Sequence, residues 1–331
     1  MLASLGICLL ILIWFIIHII RKFSEPLRKF SVTVRKISDG NLNVPLPESS
    51  SIPEIRELHN SFRDMQSNLA SYVEQLKKST AENERISTEM RLAQKIQKRF
   101  LPKKPDLPLN IELFADLKQS REVGGDLYDY FIIEDNLYFV IGDVSGKSTP
   151  AALYMASVVK LFRYVASRTT STTEICSTIN KYMCDNADDD MYITMFMGIM
   201  NINTGQITFT NAGHPYPLII HNDKQINSLD KYPDVPIGIL EDHIYNEYQY
   251  TLEPGAVILL YTDGITDAEN VHAQFYGMPR LIECIKRTSP TVPTGLINNI
   301  LADINQHIDK ARQSDDLTIL SILYKGGNKP E

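Results

Sequence analysis

From Leu2 to Ile20 the chain is almost wholly apolar, interrupted only by Ser4, Gly6 and His18. Nineteen helical residues reach roughly 28 Å, close to the ~30 Å hydrocarbon core of a bilayer. Arg21, Lys22, Arg28 and Lys29 follow at once, and nothing basic precedes the run. That charge order argues against a cleaved secretory signal and for a C-terminal bulk in the cytoplasm. The expectation is a single-pass cell-membrane protein with its membrane helix at residues 1–20. His18 fits the membrane boundary better than a ligand role. With no residues to spare before Leu2, no extracellular sensor is expected. Either the start is truncated, or a signal arrives through the membrane helix or a partner.

The next pattern is helical. Leu27, Phe30, Val34 and Ile37 are spaced 3-4-3 and end at Asp39-Gly40, a good helix stop. A polar connector with Pro45, Pro47 and the run Ser49-Ser50-Ser51 follows, in which Leu42, Val44 and Leu46 alternate. Ile55, Leu58, Phe62, Met65, Leu69, Tyr72 and Leu76 then keep the 3-4 spacing of a left-handed coiled coil. The register runs on through Ser79, Asn83, Ile86, Met90, Ala93, Gln97 and Phe100, and Pro102 and Pro105 are expected to stop the helix. Its polar positions weaken the seam, which suits either a two-state relay or a passive spacer. From Arg21 to about Leu76 the pattern resembles a HAMP domain: Pro26 near the start of the first helix, a glycine-containing connector, and Pro53-Glu54 opening the second helix. The resemblance implies a parallel four-helix bundle shared by two subunits, hence a homodimer through the HAMP domain and the coil. A plain membrane-proximal coiled coil is the simpler alternative.

Beyond Leu107 the period changes. Residues 137–141, 193–199, 206–210, 216–220, 256–261 and 317–323 read as strands, and 151–166, 173–187, 278–288 and 293–310 as helices. Strands that follow one another directly favour an α+β antiparallel β-sandwich flanked by helices over a doubly wound sheet. The expected organisation is 1–20 membrane helix, 21–76 HAMP-like domain, 77–106 coiled-coil linker, 107–325 catalytic domain and 326–331 disordered tail.

Composition adds exclusions. The chain has 331 residues and a formal charge of −7, with no basic face that would suggest nucleic acid. Its cysteines Cys8, Cys176, Cys184 and Cys284 form no metal-binding or redox pattern and read as free thiols. Five aspartates stand out instead: Asp126 after Gly124-Gly125, Asp143 between Gly142 and Val144-Ser145-Gly146, Asp263 before Gly264, and Asp315-Asp316 before Leu317-Thr318. With Asp143 and Asp263 at strand ends and Asp315-Asp316 before a strand start, an antiparallel sheet can gather them at one edge. Carboxylates without cysteine or histidine suit hard cations such as Mg²⁺ or Mn²⁺, and a pair of such ions suits phosphoryl chemistry.

The motifs resemble the PPM-type (protein phosphatase 2C-like) serine/threonine phosphatases of the bacterial SpoIIE-like branch. The matching text is 123–129 (VGGDLYD), 142–147 (GDVSGK) running into 150–156 (PAALYMA), 211–215 (NAGHP), 260–268 (LYTDGITDA) and 315–318 (DDLT). The stretch from Arg91 to Pro102 is similar to that branch too. The resemblance implies two divalent cations, Mn²⁺ or Mg²⁺. Asp143 would bridge them, with the Val144 carbonyl beside it; Asp126 would bind one ion, and Asp263 and Asp315 the other. Asp316 is the lesser ligand, and Asp129 a support rather than a ligand. Asp126, Asp143 and Asp263 are the catalytic set. Ser148 stands where the branch usually has glycine, and Asp267 where it usually has glutamate. The phosphate-binding arginine of eukaryotic relatives has no clear counterpart.

The implied mechanism is attack by a metal-activated water on phosphoserine or phosphothreonine. The implied substrate is a phosphoprotein, often a STAS-type anti-anti-sigma factor. His214, after Gly213, reads as a structural hydrogen bonder first and as a proton donor to the leaving alkoxide second. The helices of residues 151–187 would form a switch that completes the metal site, driven by the coil from Leu69 to Phe100. Three decoys fail. Gly142 to Ser148 has three rather than four residues between its glycines, so it is no P-loop. Ser145 lacks the Gly-x-Ser-x-Gly frame, and Asp188-Asp189-Asp190 reads as a solvated loop. The rival function is a catalytically silent HAMP-linked scaffold that binds a regulatory protein. A histidine kinase is disfavoured because residues 82–100 carry no histidine.

Overall fold

Proline and glycine set the limits of the N-terminal helices. α1 (Leu2–Ile19) is the apolar run, and a single π turn at Ile20–Ser24 leads into α2 (Glu25–Ser38). Pro26 lies in the first turn of α2, where a missing N–H leaves nothing unsatisfied. Gly40 follows the end of α2 at φ +94°, the left-handed conformation that favours glycine. α3 is a continuous helix, Pro53–Gln97, again opened by proline. The structure, a computed structural model, describes residues 2–47, 52–103, 107–146, 149–186, 191–288 and 292–327. The Ser49-Ser50-Ser51 run, Pro105, Lys147, Ser148, the acidic run at 188–190 and the tail at 328–331 lie outside the described residues.

The chain divides into two compact units, Met1–Thr88 and Glu89–Glu331. In the first, Phe30 of α2 packs edge-on against Phe62 of α3, with ring centroids 5.0 Å apart. The Gln66 amide donates to the carbonyls of Leu42 and Val44, and the His59 ring meets that of Pro47. The connector therefore runs back along α3, which makes α2 and α3 parallel, as the HAMP resemblance implies. α1 with its flank is long and apolar enough to cross a membrane. Leu58, Met65, Leu69, Tyr72 and Leu76 form an exposed apolar stripe on α3.

The second unit is an α+β sandwich. One antiparallel sheet has the order β1-β10-β9-β6-β7, from β1 (Ile111–Lys118), β6 (Leu218–Ile220), β7 (Ile226–Ser228), β9 (Val257–Tyr261) and β10 (Leu317–Tyr324). The other has the order β2-β3-β4-β5-β8, from β2 (Leu127–Ile133), β3 (Asn136–Val144), β4 (Ile193–Asn201), β5 (Gln206–Ala212) and β8 (Tyr248–Thr251). Phe139, Phe196, Phe209, Ile258 and Leu320 fill the space between the sheets. α4 (Thr149–Ala166) and α5 (Thr172–Asn186) cover the outer face of the second sheet. α7 (Gly277–Arg287) and α8 (Pro293–Ile308) cover that of the first.

Differences from the sequence-based expectation have local causes. β1, β2, β7 and β8 were not singled out as strands. β6 starts after Pro217, which has no N–H for a ladder. α3 ends at Gln97, ahead of both prolines, where the backbone tightens into turns with the Arg99 N–H on the Ile96 carbonyl and the Phe100 N–H on that of Gln97.

Gly198 of β4 faces Phe139 of β3 in register, and a Cβ there would lie 2.3 Å from the Phe139 ring. Phe139 is fully buried and cannot retreat without opening the core. Gly198→Ala should cost about 1–3 kcal/mol, read as a lower urea midpoint with an unchanged slope.

Candidate metal centre

All five aspartates come to the same edge of the sandwich. Asp126 lies in the loop immediately before β2. Asp143 is the next-to-last residue of β3, opposite Thr194, so it stands inside the strand rather than after it, and Val144 ends that strand. Asp263 opens the short helix α6 (Asp263–Thr266) after β9, and Asp315 and Asp316 precede β10. Asp126 and Asp316 are buried, Asp143 and Asp315 half-buried, and Asp263 exposed at the rim.

Three glycines show how tightly these loops meet. A Cβ on Gly124 would fall 1.7 Å from Asp316 Oδ2, and one on Gly264 would fall 1.9 Å from the Asp316 carbonyl. A Cβ on Gly125 would fall 2.6 Å from the Val144 carbonyl and 3.3 Å from Asp143 Oδ1. A Cβ at these positions would collide, so glycine is the residue the packing around Asp143 and Asp316 calls for.

Hydroxyl and backbone donors hold the acids. Thr262 Oγ1 donates to Asp126 Oδ2 at 2.8 Å, and Thr318 Oγ1 donates to the same oxygen. Thr262 and Thr318 are neighbours at the paired ends of β9 and β10, so they tie Asp126 of one sheet to the edge of the other. The Ser120 N–H donates to Asp316 Oδ1 at 2.8 Å, and the Asp316 N–H to Asp315 Oδ1 at 2.9 Å.

Crowding shows in the titration of the group. Burial, followed by the charge of Asp263, pushes Asp143 up to about 7, with Asp315 and Asp316 adding to the rise. Burial, followed by the charge of Asp143, pushes Asp126 well above the usual carboxylate range despite the two threonine donors. Such like-charge crowding is what bound cations relieve. Among the described residues no three His, Cys, Asp or Glu side chains already form a metal cage. The all-oxygen donor set nevertheless fits hard divalent cations, with Asp126 and Asp316 engaged by protein donors that a cation would supplement or displace.

His214 is buried, its Nδ1 within 3.1 Å of Thr194 Oγ1 and its backbone bonded both ways to the Asn211 side chain. Burial drops its pKa to about 3, so the ring is neutral near pH 7 and has no acidic proton to give. Ser145 uses its hydroxyl to accept the Tyr192 N–H, which stitches the loop after β3 to the start of β4.

Thr262, Thr318, Ser120 and Gln97 were not singled out from sequence as site residues. Gln97 is buried and clamps Gly124: its Nε2 donates to the Gly124 carbonyl at 2.6 Å, and its Oε1 accepts the Gly124 N–H at 3.3 Å. The expectation that Gln97 lies in a coiled-coil seam is corrected, because its amide matches a backbone peptide rather than another helix. Asp129 is held by Arg163 of α4 through two bonds of 2.6 Å.

With this geometry in place, comparison with known proteins decides the family. The family model for Stage II sporulation protein E (SpoIIE) matches residues 133–325, more than half of the chain. The chain belongs to the SpoIIE family. A HAMP domain matches residues 18–71. Protein IcfG of Synechocystis is 27% identical over 341 residues, covering 93% of this chain and 52% of IcfG, so the chain spans about half of that relative. Phosphoserine phosphatase RsbU of Bacillus subtilis is 24% identical over 241 residues, covering 72% of this chain and 71% of RsbU. The SiaA-PP2C domain of Pseudomonas aeruginosa shares the fold with a TM-score of 0.65 at 21% identity, covering 74% of this chain and 98% of that domain. The PP2C phosphatase domain of SpoIIE from Bacillus subtilis gives 0.58 at 18% identity, covering 66% of this chain and 63% of that structure.

The Asp129–Arg163 pair yields a test of sign. Burial outweighs the Arg163 bonds and holds Asp129 above the usual carboxylate range. A carboxyl with a raised folded-state pKa weighs against the fold where it is ionised and is relieved as pH falls. Arg163→Met should therefore cost about 1–3 kcal/mol near pH 8, and less near pH 5, in urea midpoints taken at both. The low range allows for the part-exposed guanidinium.

Proposed function

We propose that the chain is a membrane-anchored signalling phosphatase that hydrolyses phosphoserine or phosphothreonine on a protein partner, with two divalent cations, Mn²⁺ or Mg²⁺. The observation that carries this reading is the crowding of Asp126, Asp263, Asp315 and Asp316 around Asp143. Bound at that cluster, the cations would supply a Lewis acid for phosphoryl oxygens and a lowered pKa for an attacking water. Asp143 would bridge them beside the Val144 carbonyl, Asp126 would hold one, and Asp263 and Asp315 the other, with Asp316 contributing less. Thr262 and Thr318 fix the Asp126 rotamer, and Ser120 fixes that of Asp316. The exposed Asp263 leaves the cluster open on the side from which a phosphoprotein arrives. The neutral His214 keeps a structural task.

The domain limits under this reading are 1–20 for the membrane helix, 21–76 for HAMP, 77–106 for the linker, 107–325 for the phosphatase and 326–331 for the tail. The enzyme faces the cytoplasm and works as a homodimer through HAMP and coil. The substrate class is a phosphorylated STAS-type anti-anti-sigma factor, in keeping with the phosphoserine phosphatases RsbU and RsbP among its relatives.

Mn²⁺ should switch on hydrolysis of p-nitrophenyl phosphate, and a chelator should abolish it. Asp143→Asn should lower turnover at least ~10³-fold, the scale expected when a principal electrostatic group is lost. A folded protein that binds Mn²⁺ and a phosphorylated STAS partner but turns over neither substrate would favour the scaffold function.

Regulation through the linker is part of the same proposal. Gln97 ends the signalling helix and holds the peptide two residues before Asp126. Gln97→Leu should lower Mn²⁺-dependent turnover at least ~10-fold, since it strips the buried Gly124 carbonyl of its donor. Asn83→Leu, on the exposed part of α3, is the comparison. Equal effects from both would assign the signal to coil packing rather than to the Gln97 clamp.

A further inference from the structure

A cavity of about 460 Å³ lies between the end of α3, the edge strand β2 and α4, apart from the carboxylate cluster. Its charged walls are Arg99, Lys103, Lys160 and Arg163, and its aromatic walls include Phe100 and Phe131. None of its lining residues is acidic. The nearby Asp129 is already engaged by Arg163 through two bonds. Among the described residues, Arg99, Lys103 and Lys160 have no carboxylate within ion-pair distance. In a chain of net charge −7, three cationic side chains beside the Arg163–Asp129 pair around one hollow are a local inversion of charge.

Two of the four cations are also packed on aromatic rings. Lys160 Nζ lies 5.4 Å from the Phe100 ring centre and Arg163 Cζ lies 5.2 Å from that of Phe131. Lys160 and Arg163 are three residues apart on α4 and so project from one face. Cations packed on aromatic faces lose little freedom when an anion arrives, and the cavity has the size of a small-molecule site. A flexible, solvated basic surface would lack both features.

We propose that this cavity binds a small soluble anion carrying two or more phosphate or carboxylate charges. The site is separate from phosphoester hydrolysis. Its guanidinium and ammonium groups supply several charge-assisted hydrogen bonds to clustered anionic oxygens.

The test uses the full chain in detergent, with a chelator and no divalent cation, so that phosphate cannot be recruited to the carboxylate cluster. Inorganic phosphate and pyrophosphate are titrated by calorimetry at low and high salt. Pyrophosphate should bind saturably at one site per chain, at least ~10-fold tighter than phosphate, and weaken steeply with salt. The double variant Lys103→Gln/Lys160→Gln should weaken pyrophosphate at least ~10-fold while keeping Mn²⁺-dependent p-nitrophenyl phosphate turnover. Arg99→Gln is a second, independent variant with the same expectation. Affinity unchanged in both variants would place the anion elsewhere, for instance on the basic flank at Arg21 to Lys29, and overturn the proposal. So would the absence of saturable pyrophosphate binding in the wild-type chain.

Discussion

Mutual repulsion among aspartates is the constraint from which the rest of the second unit follows. Five carboxylates from four separate chain segments are gathered at one edge of the sandwich, where burial and neighbouring charge push Asp143 up to about 7. Such an arrangement is unfavourable on its own, and a fold that keeps it must hold it from outside. The holding elements are the paired ends of β9 and β10, whose threonine hydroxyls grip Asp126, and the glycines that let the loops touch. The two packed sheets, with a helix pair outside each, give these loops a rigid base. The loops are crowded, and the framework beneath them is regular.

Much of this was legible from residue order. Long apolar runs such as those of β3, β4, β9 and β10 announce central strands, and the glycine-flanked aspartates announce a carboxylate site. The less legible parts lie where polar residues interrupt the pattern. β1 contains Glu112 and Asp116 at the sandwich edge, while β7 and β8 span only three and four residues. β2 was hidden for another reason: its residues Leu127 to Asp129 were absorbed into the motif around Asp126. Thr262 and Thr318 sat inside recognised motifs without a role, because a threonine beside an aspartate says nothing of which distant acid its hydroxyl will meet.

Gln97 shows the limit most sharply. In the heptad register it occupies a seam position and reads as a polar interruption that weakens the coil. In the structure the same amide presents a donor and an acceptor to the Gly124 peptide. Periodicity reports only that one face of a helix is covered, and says nothing of whether the cover is another helix or a loop of the same chain.

That clamp also constrains how the linker can act under the proposed function. Successive residues on an α-helix are about 100° apart, so only one rotational setting of the last turn places Gln97 against Gly124. A small rotation leaves the buried Gly124 carbonyl without its donor, at a cost of about 1–3 kcal/mol. The loop it disturbs carries Asp126, and Gly124 lies directly against the Asp316 carboxylate. The closeness that forces glycine into these loops also couples the carboxylate cluster to the last turn of the helix before it.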